Sequence, residues 1–305
     1  MTALKRGGLV LASIVLLLLA LAFRGDRSAA ELEARYASPP SQFVEVDGLR
    51  VHYRDRGSGS PIVLLHGSNS SLFTWEGWAA LLAPAHRVVT LDLPGHGLTG
   101  PDAKERYSAA EMAEVVDAFV SKIGLTRFAL GGNSMGGSVA WHYTLAHPER
   151  VDKLILVDSA GLAHREPRPP ALRVAASPIF GGIARWVTPR FAVAASVRDV
   201  YGDRSKVTDA TIDRYYDLLL RDGNRAATRE RLSRKEDSMS GARLGEIHAP
   251  TLILWGTEDR WILPKYGAQF RDRIPGARLV PLQGLGHVPM EEDPVASVAP
   301  VQSFL

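Results

Sequence analysis

The chain has 305 residues, 46% hydrophobic and 23% charged, the proportions of an ordinary globular protein with a full core, which exclude a disordered chain and a collagen-like repeat. Lys and Arg number 36 against 33 Asp and Glu, and the formal charge of +3 is too shallow to be a nucleic-acid footprint by itself. With no cysteine, disulfides, thiolate metal sites and a cysteine nucleophile are ruled out, while the redox compartment stays open.

Lys5 and Arg6 precede an uncharged run from Gly7 to Phe23, after which Arg24, Asp26 and Arg27 restore polarity. Residues 1–27 are therefore expected to be a membrane anchor or a signal segment with Ala20-Leu21-Ala22 as a cleavage site. A run this rich in Leu and Val favours the anchor. Lys5 and Arg6 would hold its start in the cytoplasm, with Arg24, Arg27 and Arg35 working against that orientation. Residues 28–42 are polar and end in Ser38-Pro39-Pro40-Ser41, which reads as a tether.

The folded domain starts near Phe43. Phe43–Val46 and Leu49–Tyr53 flank Asp47-Gly48, a dipeptide suited to the positive φ angles of a tight hairpin turn. Short apolar runs then alternate with helical patterns: 62–65, 88–91, 128–131, 154–157, 252–255 and 279–282. These predict buried strands of a mostly parallel sheet. Met112, Val115, Val116, Phe119 and Ile123 fall at helical spacing between them, so helices are expected to make the crossovers. One interval breaks the rhythm: residues 162–248 carry no convincing strand, and Trp186, Phe191, Tyr201, Tyr215 and Tyr216 there point to a folded helical cap. The cap divides a core formed by residues 43–161 and 249–305. It carries 16 Lys and Arg against 11 Asp and Glu, an excess suited to anionic headgroups, to a carboxylate-bearing substrate, or simply to a solvated helix surface.

The strand at 128–131 runs into Gly132-Asn133-Ser134-Met135-Gly136-Gly137 and then a helical stretch, Ser138–Ala146. In this G-x-S-x-G pattern the serine takes a strained conformation at a sharp strand-to-helix turn, which presents its hydroxyl above the sheet edge. A serine hydroxyl is a poor nucleophile and needs a base, which needs an acid to hold its tautomer. Downstream, Leu252–Trp255 leads to Glu258 and Asp259, and Leu279–Leu282 leads to Gly286-His287-Val288-Pro289. Upstream, 62–65 ends in His66-Gly67-Ser68-Asn69, and 88–91 leads to Asp92-Leu93-Pro94-Gly95-His96-Gly97.

Together these motifs resemble the α/β-hydrolase family over nearly the whole chain from Phe43, the cap matching in position only. The resemblance implies an α/β fold with a helical cap inserted between two strands, and a catalytic triad of Ser134, Asp259 and His287 in that order. It implies an oxyanion hole from the backbone N–H groups of Ser68 and Met135, with His66 and Asp92 structural. Asp158 follows a strand where some relatives place their acid, and Glu258 adjoins Asp259; Asp259 is preferred over both.

The expected activity is hydrolysis of a carboxylic ester, small or lipid-like, without cofactor or metal and without nucleic acid. Ser134 argues against epoxide hydrolases and dehalogenases, which carry a carboxylate at the elbow. The hexapeptide 132–137 also resembles that of C–C bond hydrolases of ring-cleavage products. Those enzymes carry a Ser-Gly-Pro-Gly type sequence after His-Gly and a tryptophan after the histidine, where this chain has Ser68-Asn69-Ser70-Ser71 and Val288. Cofactor-free perhydrolases and haloperoxidases share the triad, and a ligand receptor on the same fold is the non-enzymatic alternative. Trp75, Trp78 and Phe73 are read as core or pocket wall.

Overall fold

The computed structural model describes residues 23–163, 186–234 and 241–305, with positions 173, 177 and 182. The apolar run up to Ala22 and the remainder of the 162–248 insertion lie outside the described residues. Among those described, no helix is long and apolar enough to cross a membrane. The tether expected over 28–42 is instead largely a docked helix, α1 (Ala29–Tyr36). Ser28 caps it by accepting from Glu31 N, and Leu32 is fully buried. The nearly buried Asp217 carboxylate draws the helix inward, receiving Arg27 at 3.0 Å, Arg35 at 2.5 Å and the Tyr36 hydroxyl at 2.8 Å. Sequence polarity was misleading because these partners lie about 180 residues downstream.

Eight strands form one sheet in the order β1-β2-β4-β3-β5-β6-β7-β8. β1 (Ser41–Val46) and β2 (Leu49–Arg56) make the expected hairpin, with Asp47 at φ 49° and Gly48 at φ 85° in its turn. β2 runs antiparallel to β4 (His86–Leu91); β4, β3 (Ser60–Leu65), β5 (Phe128–Asn133), β6 (Val151–Val157), β7 (Thr251–Gly256) and β8 (Arg278–Leu282) are parallel. Alternate residues of the central strands enter opposite core layers, as the two-residue period requires: Val63, Leu65, Leu154 and Leu156 on one face, Ile62, Leu64, Ile155 and Val157 on the other. Trp75 and Trp78 are fully buried in the second layer, where α2 (Glu76–Leu82) covers the sheet. The first layer holds the apolar stripe of α3 (Ala109–Lys122), which a Ser108/Glu111 capping box starts. α4 (Met135–Ala146) begins immediately after Ser134, three residues earlier than its apolar pattern suggests.

Between β6 and β7 the described part of the insertion is helical: α5 (Arg190–Asp199), α6 (Asp209–Leu219) and α7 (Asn224–Ser233). Ala194, Val197, Val200, Tyr201 and Ile212 extend the second core layer and seat α5 and α6 on it, while Ala227 of α7 joins the first. Tyr201 and Tyr216 are buried as core residues, whereas Trp186 and Phe191 are exposed. α8 (Lys265–Arg273), α9 (Pro289–Glu292) and α10 (Pro294–Phe304) complete the chain.

Candidate active site

Ser134 joins β5 to α4 at φ 52°, ψ −117°, a conformation costly for a residue with a Cβ and held here by the packing around it. Its N–H donates to Val157 O at 3.0 Å, while its carbonyl accepts from Ser138 and Ala160. The turn is tight enough to demand glycine: a Cβ at Gly136 would fall 2.2 Å from Leu65 O. Ser134 is only partly buried, and its hydroxyl makes no hydrogen bond among the described residues.

Asp259 and His287 sit on the loops after β7 and β8 and meet directly, the imidazole Nδ1–H donating to Asp259 Oδ2 at 2.7 Å. They are 3% and 4% exposed. Asp259 Oδ1 accepts from the N–H groups of Trp261 at 2.7 Å and Ile262 at 3.0 Å, so with His287 it has three donors. Glu258, its exposed neighbour, takes no part. Nδ1 being the donor, Nε2 is the basic nitrogen of the neutral ring. Trp261 stacks on the imidazole with centroids 5.8 Å apart.

The loop after β3 lies against the Ser134 turn: a Cβ at Gly67 would stand 3.2 Å from Ser134 Cβ. The N–H groups of Ser68 and Met135 donate to nothing among the described residues, and Met135 N–H opens a helix, where the dipole favours negative charge. His66 is fully buried; its Nδ1–H donates to Gly67 O at 2.7 Å and its Nε2 accepts from Leu93 N–H at 3.0 Å. Desolvation lowers its pKa, so it holds two loops together as a neutral ring. Asp92 is structural too, binding the N–H groups of Leu72 and Leu98 and the His52 ring.

Three features were not read from the sequence. Asn133 Nδ2 donates to Val157 O at 3.1 Å and to His287 O at 2.9 Å, tying the serine turn to the histidine loop. The Glu292 carboxylate accepts from the N–H groups of Gly202, Asp203 and Gly286 at 2.8 to 2.9 Å, which stitches the insertion to the same loop. His287 N–H donates to Val200 O at 2.7 Å beside that seam, where a Cβ on Gly286 would strike Gly202 N at 2.4 Å. Arg231 and Thr228 of α7 donate to Ser68 Oγ and Asn69 Oδ1, so the insertion also touches the loop expected to bind an oxyanion. Asn133, Ser68, Asn69, Gly286 and His287 lie in motifs, but their partners Val157, Val200, Gly202, Thr228, Arg231 and Glu292 do not; only the fold brings the two sets together.

Asp158, which follows β6, lies within 4.8 Å of both Asp259 and His287, but the imidazole Nδ1–H donates to Asp259. Among the described residues, Asp158, Asp259 and His287 alone cluster as possible metal ligands, their atoms all within 4.8 Å. The 2.7 Å between His287 Nδ1 and Asp259 Oδ2 is a hydrogen-bond length, shorter than the about 3.3 Å separating two ligands on one tetrahedral zinc. These donors are spaced around protons. Burial, then the Asp259 charge, push the Asp158 carboxyl well above the usual carboxylate range.

A strained serine at the head of a helix, two free backbone donors and a carboxylate-oriented imidazole on an eight-stranded sheet define a serine hydrolase. The chain belongs to the α/β hydrolase family, whose model it matches over residues 62–301. It is similar to a 2-hydroxy-6-oxononadienedioate/2-hydroxy-6-oxononatrienedioate hydrolase of Cupriavidus pinatubonensis, at 29% identity over 85% of this chain and 92% of the relative. Among solved structures it resembles a membrane phospholipase A described as a bacterial virulence factor, with a TM-score of 0.72 and 27% identity over 100% of this chain and 98% of the other. A meta-cleavage product hydrolase from Pseudomonas fluorescens shares the fold, with a TM-score of 0.75 and 22% identity over 86% and 96% of the two chains.

Proposed function

We propose that this protein hydrolyses carboxylic esters with lipid-like acyl chains while tethered to a membrane by its N-terminal segment, with the catalytic domain outside the cytoplasm. Ser134 Oγ attacks the acyl carbon as His287 Nε2 takes its proton, and Asp259 orients and stabilises the imidazolium. The Ser68 and Met135 N–H groups receive the oxyanion, each donor being worth about 2.7–4 kcal/mol in such sites. His287 then protonates the leaving alcohol, and water, deprotonated by the same ring, releases the acid from the acyl-enzyme.

The observation that carries this reading is the likeness to a membrane phospholipase A over 100% of this chain, taken with the uncharged apolar sequence from Gly7 to Phe23. Local structure agrees with it. Phe23, where the run ends, stacks on Trp186 at 5.8 Å, and both are exposed, as is Phe191 of α5; aromatic side chains of this kind favour the membrane–water boundary. A second reading, C–C cleavage of a ring-fission product, is supported by the curated relative from Cupriavidus. Turnover of p-nitrophenyl esters of graded acyl length, of phospholipid vesicles and of a ring-cleavage product separates the two. Preference for medium or long acyl chains is expected; turnover of the ring-cleavage product alone would overturn the ester reading.

A further inference from the structure

Asp158 is a fully buried acid for which the triad chemistry has no use. It follows β6 at φ 46°, and its Oδ1 accepts from Gly256 N–H at 2.8 Å. Its Oδ2 is buried without a donor among the described residues, in the cluster where Asp158, Asp259 and His287 atoms lie within 4.8 Å. Two carboxylates this close in a site shut from water do not both ionise; they share one proton. Asp259 has three donors and Asp158 one, so the proton resides on Asp158, and the atom without a donor is the one that carries it. The Glu292 charge also raises Asp158, while the Glu292 carboxylate itself is bound to three backbone N–H groups.

We propose that Asp158 is a positioning residue, a neutral carboxylic acid whose O–H donates to the Asp259 carboxylate and fixes it against His287. This rests on the triad reading above. The bond also withdraws charge from Asp259, tempering its hold on the imidazolium that forms when Ser134 gives up its proton.

The test compares Asp158→Asn with Asp158→Gly in the full-length protein. Asparagine can keep both the Gly256 contact and a donor toward Asp259, and both residues tolerate the positive φ. Relative to wild type, Asp158→Gly should lose at least fivefold in kcat with KM within twofold, and its acid limb should move to higher pH. Asp158→Asn should recover most of the rate and the wild-type limb. The infrared difference spectrum of wild type minus Asp158→Asn at neutral pH should contain the carbonyl stretch of a protonated carboxylic acid. Absence of that band, or an Asp158→Asn variant as inactive as Asp259→Asn, would overturn the proposal. A catalytically competent Ser134→Ala protein would instead overturn the triad while leaving the band in place.

Discussion

Asn133 and His287, 154 positions apart, are joined by a 2.9 Å hydrogen bond from the asparagine amide to the histidine carbonyl. The residue that precedes the serine thus holds the loop that carries His287, and the same amide anchors to Val157 O of β6. Replacing Asn133 with Asp puts a carboxylate against two carbonyls. Asn133→Asp should lower kcat about tenfold, equivalent to about 1.4 kcal/mol, and lower the thermal midpoint by roughly 2–4 °C, with KM little changed. Steady-state kinetics and calorimetry check both.

Asp259→Asn keeps the shape of the side chain but turns an amide toward donors. The imidazole would then present its proton on the wrong nitrogen. A loss on the order of 10⁴ in kcat with substrate affinity preserved is expected. A loss below tenfold would move the acid's role to another residue.

Glu292 fastens the insertion to the histidine loop through three backbone N–H groups. Glu292→Gln leaves one acceptor oxygen and aims an NH₂ at N–H donors. It should cost about 2 kcal/mol in urea unfolding and reduce turnover, because the seam that places His287 N–H on Val200 O loosens.

Stability should fall on mild acidification. Burial lowers the pKa of His66, and burial first, then the nearby positive groups, Arg231 and His66 if it takes a proton, lowers that of His96. Their folded values lie below the unfolded value of about 6.5, so the unfolded chain binds more protons once pH drops under that value. Stability is therefore full above about 6.5 and declines as pH falls toward the depressed folded values, by up to about 1.4 kcal/mol per pH unit for each ring. A His96→Gln variant, which can keep the bond to Pro94 O, should flatten the slope of unfolding free energy between pH 6.5 and 5.

Much of this arrangement is legible in local sequence because parallel strands buried on both faces are short apolar runs, and because the serine turn demands glycines at fixed offsets. All eight strands and the hydrogen-bonded Asp259–His287 pair follow from such signals. The choice of Asp259 over Glu258 and Asp158 acquires its physical reason only in three dimensions, from the N–H groups of Trp261 and Ile262. Helix α1 is illegible for the opposite reason: it docks through buried Leu32 and through Arg35 and Tyr36 on Asp217, a partner far downstream that local polarity does not reveal. Asn133 and Glu292 bind backbone atoms remote in the chain, and side chains of that kind leave no periodicity to read.

Labelling of the full-length protein in detergent by a fluorophosphonate probe bears most directly on whether Ser134 is activated by His287. Stoichiometric modification at Ser134, abolished in Ser134→Ala and slowed by orders of magnitude in His287→Ala, is the expected result. An unlabelled folded protein, or a label on any other serine, would contradict it.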